Sequence, residues 1–116
     1  MNRGDIWSVQ FDPSVGDEIQ KLRPAVIINI AGAFRHQLQI VVPITTWQPR
    51  FQSEFWMIRL PADTTTGLKN ESAANAFQVK SLSAQRFVKH IGQVTQPQLD
   101  DIVAAITVVI GFRPKI

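Results

Sequence analysis

A helical period of apolar residues occurs once in this chain, near its C-terminal end. Leu99, Ile102, Val103, Ile106, Val109 and Ile110 recur there at i, i+3, i+4 and i+7. Thr95 reads as the cap of this helix, with Pro97 in the first turn and Gln98 as the capping-box partner. Gly111 and Pro114 end it. The apolar stripe is expected to pack on a sheet. Ala105 and Val108 fall outside it, which leaves two readings open: a second contact such as a dimer partner, or ordinary scattered surface residues.

Everything upstream is punctuated at strand length. Residues 5–10 alternate, with Trp7, Val9 and Phe11 on one side, and Asp12-Pro13 ends the pattern as a turn. Residues 24–30 are nearly all apolar, as in a strand covered on both faces, until Ala31-Gly32-Ala33 breaks the run. Residues 39–45 are rich in β-branched side chains. Pro43 among them implies an edge or a bulge, because proline cannot donate to a ladder. Residues 53–60 read as a fourth strand between the Gln48-Pro49-Arg50 turn and Pro61. A loop with a short local turn at 63–71 follows, then an extended stretch at 72–82 and a last strand at 88–94. Ser83-Ala84-Gln85-Arg86 forms one helical turn between these last two. Short strands followed by one terminal helix predict a mainly β fold, a small antiparallel barrel or sandwich.

With 116 residues the chain is expected to form one domain, residues 1–116. It contains no cysteine, which removes disulfide and thiolate chemistry, and its first residues lack the apolar stretch of a signal peptide. A cytoplasmic location is the default expectation. The apolar run at 102–112 falls short of the ~18 residues needed to span a bilayer. A net charge of +3 gives a modest bias toward polyanions. His36 and His90 have no partner at metal-ligand spacing, so neither a metal nor another cofactor is expected. Nucleophile-elbow, phosphate-loop and dinucleotide glycine patterns are missing as well. The remaining chemistry is that of arginine, threonine, serine and glutamine around a phosphate, acting by positioning and charge stabilisation. RNA fits because it carries its own nucleophile, the 2′-hydroxyl.

The stretch Gly16-Asp17-Glu18-Ile19-Gln20-Lys21-Leu22-Arg23-Pro24 reads as a polar loop that delivers one arginine to the start of a buried strand. Pro24 stiffens the corner and holds Arg23 out of the helical region, so the planar guanidinium is presented as a phosphate-binding fork. The alternative is a structural arginine that pairs with Asp17 or Glu18 to close the loop. Thr45 poses a similar choice between donating to a phosphate oxygen and ending its strand through a backbone bond. Ser72 also suits a backbone bond after the Gly67-Leu68 turn. Among Trp47, Phe51, Phe55 and Trp56, one or two are expected to stack bases while more belong to the core.

Arg3-Gly4-Asp5-Ile6-Trp7, the Gly16-to-Ile27 stretch, Val42-Pro43-Ile44-Thr45, Gly67-Leu68 with Ser72, residues 82–86 and Ile91-Gly92 together resemble the PemK/MazF toxins of bacterial toxin–antitoxin systems. The resemblance covers essentially the whole chain in order. It implies an SH3-like antiparallel barrel with a C-terminal α-helix, a homodimer, and metal-independent, sequence-specific cleavage of single-stranded RNA. Arg23 and Thr45 become the catalytic pair, with Glu18, Gln20, Lys21, Thr46, Ser72, Gln78 and Lys80 as RNA-binding residues. The implied partners are single-stranded RNA and a cognate antitoxin. In the implied reaction the 2′-hydroxyl attacks the adjacent phosphorus and leaves a cyclic phosphate and a 5′-hydroxyl. A guanidinium stays protonated, so Arg23 is expected to stabilise charge while water or another group takes the proton. Leu22 and Gln78-Val79-Lys80 depart from the family pattern, which bears on sequence preference. Two further readings share the fold: a gyrase-poisoning toxin, disfavoured by the ending Gly111-Phe112-Arg113-Pro114-Lys115-Ile116, and a silent RNA- or antitoxin-binding barrel.

Overall fold

The strands assemble around one long central strand in the computed structural model, which describes residues 1–11, 22–31 and 37–115. The strands are β1 (Asp5–Gln10), β2 (Leu22–Ile27), β3 (Leu38–Thr46), β4 (Met57–Leu60), β5 (Ser72–Asn75), β6 (Lys80–Ser83) and β7 (Phe87–Gln93), and α1 (Gln96–Val109) follows them. Their order is β4-β5-β3-β2-β1-β7, with β6 also paired to β3, and every pairing is antiparallel. Among the described residues no ladder joins β4 to β7, so in hydrogen-bonding terms the barrel stays open.

Strand β3 serves two ladders on one side. Leu38 to Val41 pair with β6, whereas Ile44 to Thr46 pair with β5. Pro43 falls in the gap between them. Ile28 N donates to Ile40 O at 2.9 Å, and the β2–β3 register runs Ile27↔Val41, Val26↔Val42, Ala25↔Pro43. Hydrogen-bonded and open pairs alternate along an antiparallel ladder, so Ala25↔Pro43 is an open pair and the proline nitrogen faces the gap. The expected ladder defect therefore sits inside a central strand, where no donor is required.

Two expected strands are shorter than the sequence pattern indicates. Residues 49–53 form a 3-10 turn instead of leading straight into a strand, so the fourth strand begins only at Met57. Pro49 sets the first turn, Ser53 Oγ donates to Arg50 O at 3.1 Å, and Phe51 is buried. The stretch at 72–82 is likewise cut by a 3-10 turn at Ala76–Gln78, where Asn75 Oδ1 accepts from Phe77 N at 3.1 Å. Both breaks arise from side chains that satisfy the backbone locally. The expected turn before the last strand is present at Ala84–Arg86, capped by Ser83.

The capping box at α1 is complete. Thr95 Oγ1 accepts from Gln98 N at 3.3 Å, and Gln98 Oε1 accepts from Thr95 N at 2.8 Å. Leu99 and Ile102 are buried against Ile6, Val26, Val42, Ile44 and Leu60, with Val103 and Ile106 partly buried beside them. Ala105, expected outside the stripe, is only 6% exposed, while Ile110 is 68% exposed. The helix packs on the Ala76–Gln78 turn as well as on β4. Ile110 is already the C-cap and so leaves the helical stripe. On the opposite face of the sheet Val9, Ala25, Ile27 and Val41 form a second cluster, which explains the unbroken apolar run of β2.

Gly67 and Gly92 lock the 63–70 loop onto β7. Gly67 has φ +68°, and a Cβ there would lie 2.2 Å from Ile91 O; one on Gly92 would lie 2.3 Å from Thr66 O. Gln93 N reinforces the contact by donating to Thr65 O at 2.9 Å. Gly92→Ala is expected to lower stability by ~1–3 kcal/mol through backbone overpacking, read as a lower midpoint in urea unfolding. An unchanged midpoint would mean that the loop does not sit against β7.

Candidate active site

The β2–β3 ladder ends at Ala25↔Pro43; two residues further in the same register stand Arg23 and Thr45, and the two line the same hollows. Alternation places both on the face that carries Ala25 and, through the Thr45↔Ala73 pair, Ala73. Both are exposed. Among the described residues neither the Arg23 guanidinium nor the Thr45 hydroxyl makes a hydrogen bond or ion pair. Asp17 and Glu18, the alternative partners for Arg23, lie outside the described residues, as do Gln20, Lys21 and His36.

Arg23, Ile44 and Thr45 line two concavities at once. One, of about 300 Å³, is bordered by Gln48, Arg50, Glu54, Trp56, Asn75 and Gln78. The other, of about 670 Å³, is bordered by Leu22, Thr46, Lys69, Asn70, Lys89 and His90. The smaller one lies on the face to which alternation assigns both side chains, and the chemistry is placed there. Cations flank the pair on either side, Arg50 in one cavity and Lys69 and Lys89 in the other. This arrangement suits a polyanionic strand running past the Arg23–Thr45 pair.

Arg59 is committed elsewhere. Its Nε donates to Glu71 Oε1 at 2.5 Å while its guanidinium lies 4.6 Å from the centre of the Trp47 ring. That hydrogen bond holds the Glu71 carboxyl below the usual carboxylate range and raises the guanidinium in turn. His90 lines the larger cavity with Nε2 3.7 Å from Asp5 Oδ1 and its ring edge-on to Trp7 at 5.5 Å. Among the described residues no three His, Cys, Asp or Glu side chains come together as metal ligands would.

Of the other residues singled out in the sequence, Thr46 borders the larger cavity and Gln78 the smaller. Ser72 is buried, and its Oγ donates to Asn70 O at 2.8 Å, the backbone bond anticipated as its alternative role. It therefore shapes the loop that forms one cavity wall. Lys80 borders neither cavity; its ammonium lies 5.1 Å from the centre of the Phe11 ring. Phe51 belongs to the core with Met57 and Ala73, whereas half-buried Trp56 reaches the smaller cavity, with Phe55 edge-on to it at 5.2 Å. Sequence patterning does not single out Gln48, Arg50, Glu54 or Asn75: Gln48 and Arg50 read as an ordinary polar turn, and Glu54 and Asn75 fall in stretches read as extended.

The sequence matches the family model described as the PemK-like, MazF-like toxin of type II toxin–antitoxin systems over residues 2–110. It is 31% identical over 112 residues to endoribonuclease MazF9 of Mycobacterium tuberculosis, covering 91% of this chain and 92% of the relative. The fold is similar to that of a MazE–MazF complex from Deinococcus radiodurans, with TM-score 0.80, 19% identity and 97% of each chain covered. A mycobacterial endoribonuclease in complex with its cognate antitoxin matches with TM-score 0.73 at 19% identity over 99% of both chains.

Proposed function

Because this chain belongs to the PemK-like, MazF-like toxin family of type II toxin–antitoxin systems, we propose that it is an endoribonuclease that cuts single-stranded RNA at short sequence motifs. The relatives named endoribonuclease support the reaction class. The observation that carries the reading here is an exposed, unengaged Arg23 beside an exposed, unengaged Thr45, with a cation-lined cavity on each side.

In this reading the RNA supplies the nucleophile. Its 2′-hydroxyl attacks the adjacent phosphorus, the bond to the 5′ oxygen breaks, and a cyclic phosphate and a 5′-hydroxyl result. Arg23 stabilises the extra negative charge on the phosphate, and the Thr45 hydroxyl donates to a phosphate oxygen. Thr46 and Gln78 contact neighbouring nucleotides from the two cavities, and Glu18, Gln20 and Lys21 do so from the loop before β2. Ser72 holds the 67–70 loop in place, and Lys80 adds long-range attraction. The whole chain acts as one toxin domain in the cytoplasm, as a homodimer. A cognate antitoxin competes with RNA for the same cationic surface, as the antitoxin complexes of its structural neighbours support.

Incubating the purified protein with a long single-stranded RNA and mapping the fragment ends tests this reading. Cyclic phosphate and 5′-hydroxyl ends at recurrent motifs are expected, whereas intact RNA would favour a toxin that binds without cutting. The residues assigned to the reaction supply charge and a hydroxyl without a metal. Cleavage is therefore expected to proceed at an unchanged rate in EDTA. Loss in EDTA with recovery on adding magnesium would overturn that assignment.

A further inference from the structure

The reaction needs an acceptor for the 2′-hydroxyl proton, and neither Arg23 nor Thr45 is suited to that task at neutral pH. Resting on the proposed endoribonuclease reading, we propose that Glu54 is the general base. It is the only carboxylate among the described residues that line either cavity, and it shares the smaller one with Arg23 and Thr45. Its position is fixed by the fold. Glu54 caps the Pro49–Ser53 turn, its N–H donates to Phe51 O at 2.9 Å, and its carbonyl accepts from Met57 N at 3.0 Å. Phe51 and Met57 are themselves buried against Ala73, the ladder partner of Thr45, so the carboxylate is carried on the same packed unit as the Thr45 hydroxyl.

Among the described residues the Glu54 side chain has no hydrogen bond or ion pair, so its oxygens are available to a ligand. The charged groups that face it across the cavity are Arg23 from β2 and Arg50 from its own turn, while Arg59 of β4 is held by Glu71. Arg23 and Arg50 supply phosphate-binding charge in the same cavity as the carboxylate. Among the described residues the rival base is His90, but it is separated from β2 by β1, since it pairs with Trp7, which pairs with Ala25. It borders only the larger cavity.

In the step proposed, a Glu54 oxygen takes the 2′-hydroxyl proton as the oxygen–phosphorus bond forms. The 5′ oxygen leaves with the electron pair of the broken bond and takes a proton from water, and Glu54 returns its own proton to solvent. No oxidant, reductant or metal is required for the balance. Trp56 borders the same cavity and is an aromatic side chain at hand for a neighbouring base.

The test uses the full-length protein and a single-stranded RNA containing a motif mapped by the fragment-end experiment, with Arg23→Ala in parallel. Glu54→Gln is expected to cleave on the order of 10²-fold more slowly in single turnover. It should also bind the uncleavable 2′-deoxy version of that RNA as the unmodified protein does. Added formate is expected to restore part of the rate in Glu54→Ala, which a purely structural role would not allow. If Glu54→Gln cuts at the unmodified rate while Arg23→Ala does not, Glu54 is not the base and the site stands. Loss of 2′-deoxy RNA binding in Glu54→Gln would reassign Glu54 to binding and overturn the proposal. Undiminished cleavage by Arg23→Ala would instead overturn the site itself.

Discussion

Arg23→Ala is expected to slow RNA cleavage by roughly 10²–10³-fold while the protein remains folded, the scale found for loss of one preorganised donor to a developing charge. The charge of the guanidinium argues for the upper end. The Arg23 backbone is held in the β1–β2 ladder opposite Val9, but its side chain is exposed and has no hydrogen bond or ion pair among the described residues. Its removal should therefore change stability by no more than ~0.5 kcal/mol, as for ordinary surface positions. Single-turnover cleavage and thermal unfolding measured on the same preparation separate the two effects. Arg23→Lys sharpens the argument, since it retains a cation but loses the planar fork, and a rate between those of alanine and arginine is expected. Near-normal cleavage by a folded Arg23→Ala would place the chemistry elsewhere on the surface.

The contrast between Arg23 and Glu54 shows what the sequence makes legible. Arg23 stands out because Pro24 restricts the residue before it and because a polar loop meets an apolar strand at that point. Thr45 stands out at the end of a β-branched run. Both cues are local, and the capping box at Thr95 and Gln98 is equally local, which is why the start of α1 is readable to the residue. Glu54 carries no such cue. It reaches the cavity because Pro49 and Ser53 wind residues 49–53 into a 3-10 turn, whereas the sequence reads as a turn ending at Arg50 and a strand from Ser53. Likewise, Ala105 looks peripheral by helical spacing, yet it is buried, and α1 packs on the Ala76–Gln78 turn, whose backbone Asn75 Oδ1 caps. Local backbone satisfaction by Ser and Asn side chains competes with strand formation at single positions, and period counting over a window cannot resolve it.

Replacing the Thr45 hydroxyl is expected to produce the second large loss, of order 10²-fold in the cleavage rate. Thr45 sits in the β3–β5 ladder opposite Ala73, so two substitutions are needed to separate chemistry from strand preference. Thr45→Ala removes the hydroxyl together with the β-branched shape, and the latter alone costs up to ~1 kcal/mol of strand stability. Thr45→Val removes the hydroxyl and keeps the branch, so it should unfold close to the unmodified protein and still cleave slowly. Thr45→Ser does the reverse, retaining the donor, and should keep most of the activity. The hydroxyl makes no hydrogen bond to a described residue, so none of the three leaves a buried partner unsatisfied. The loss should therefore appear in single-turnover rate rather than in melting temperature. If Thr45→Val cleaved RNA as fast as the unmodified protein, the phosphate would owe nothing to that hydroxyl, and the contact opposite Arg23 would have to come from another group bordering the two cavities.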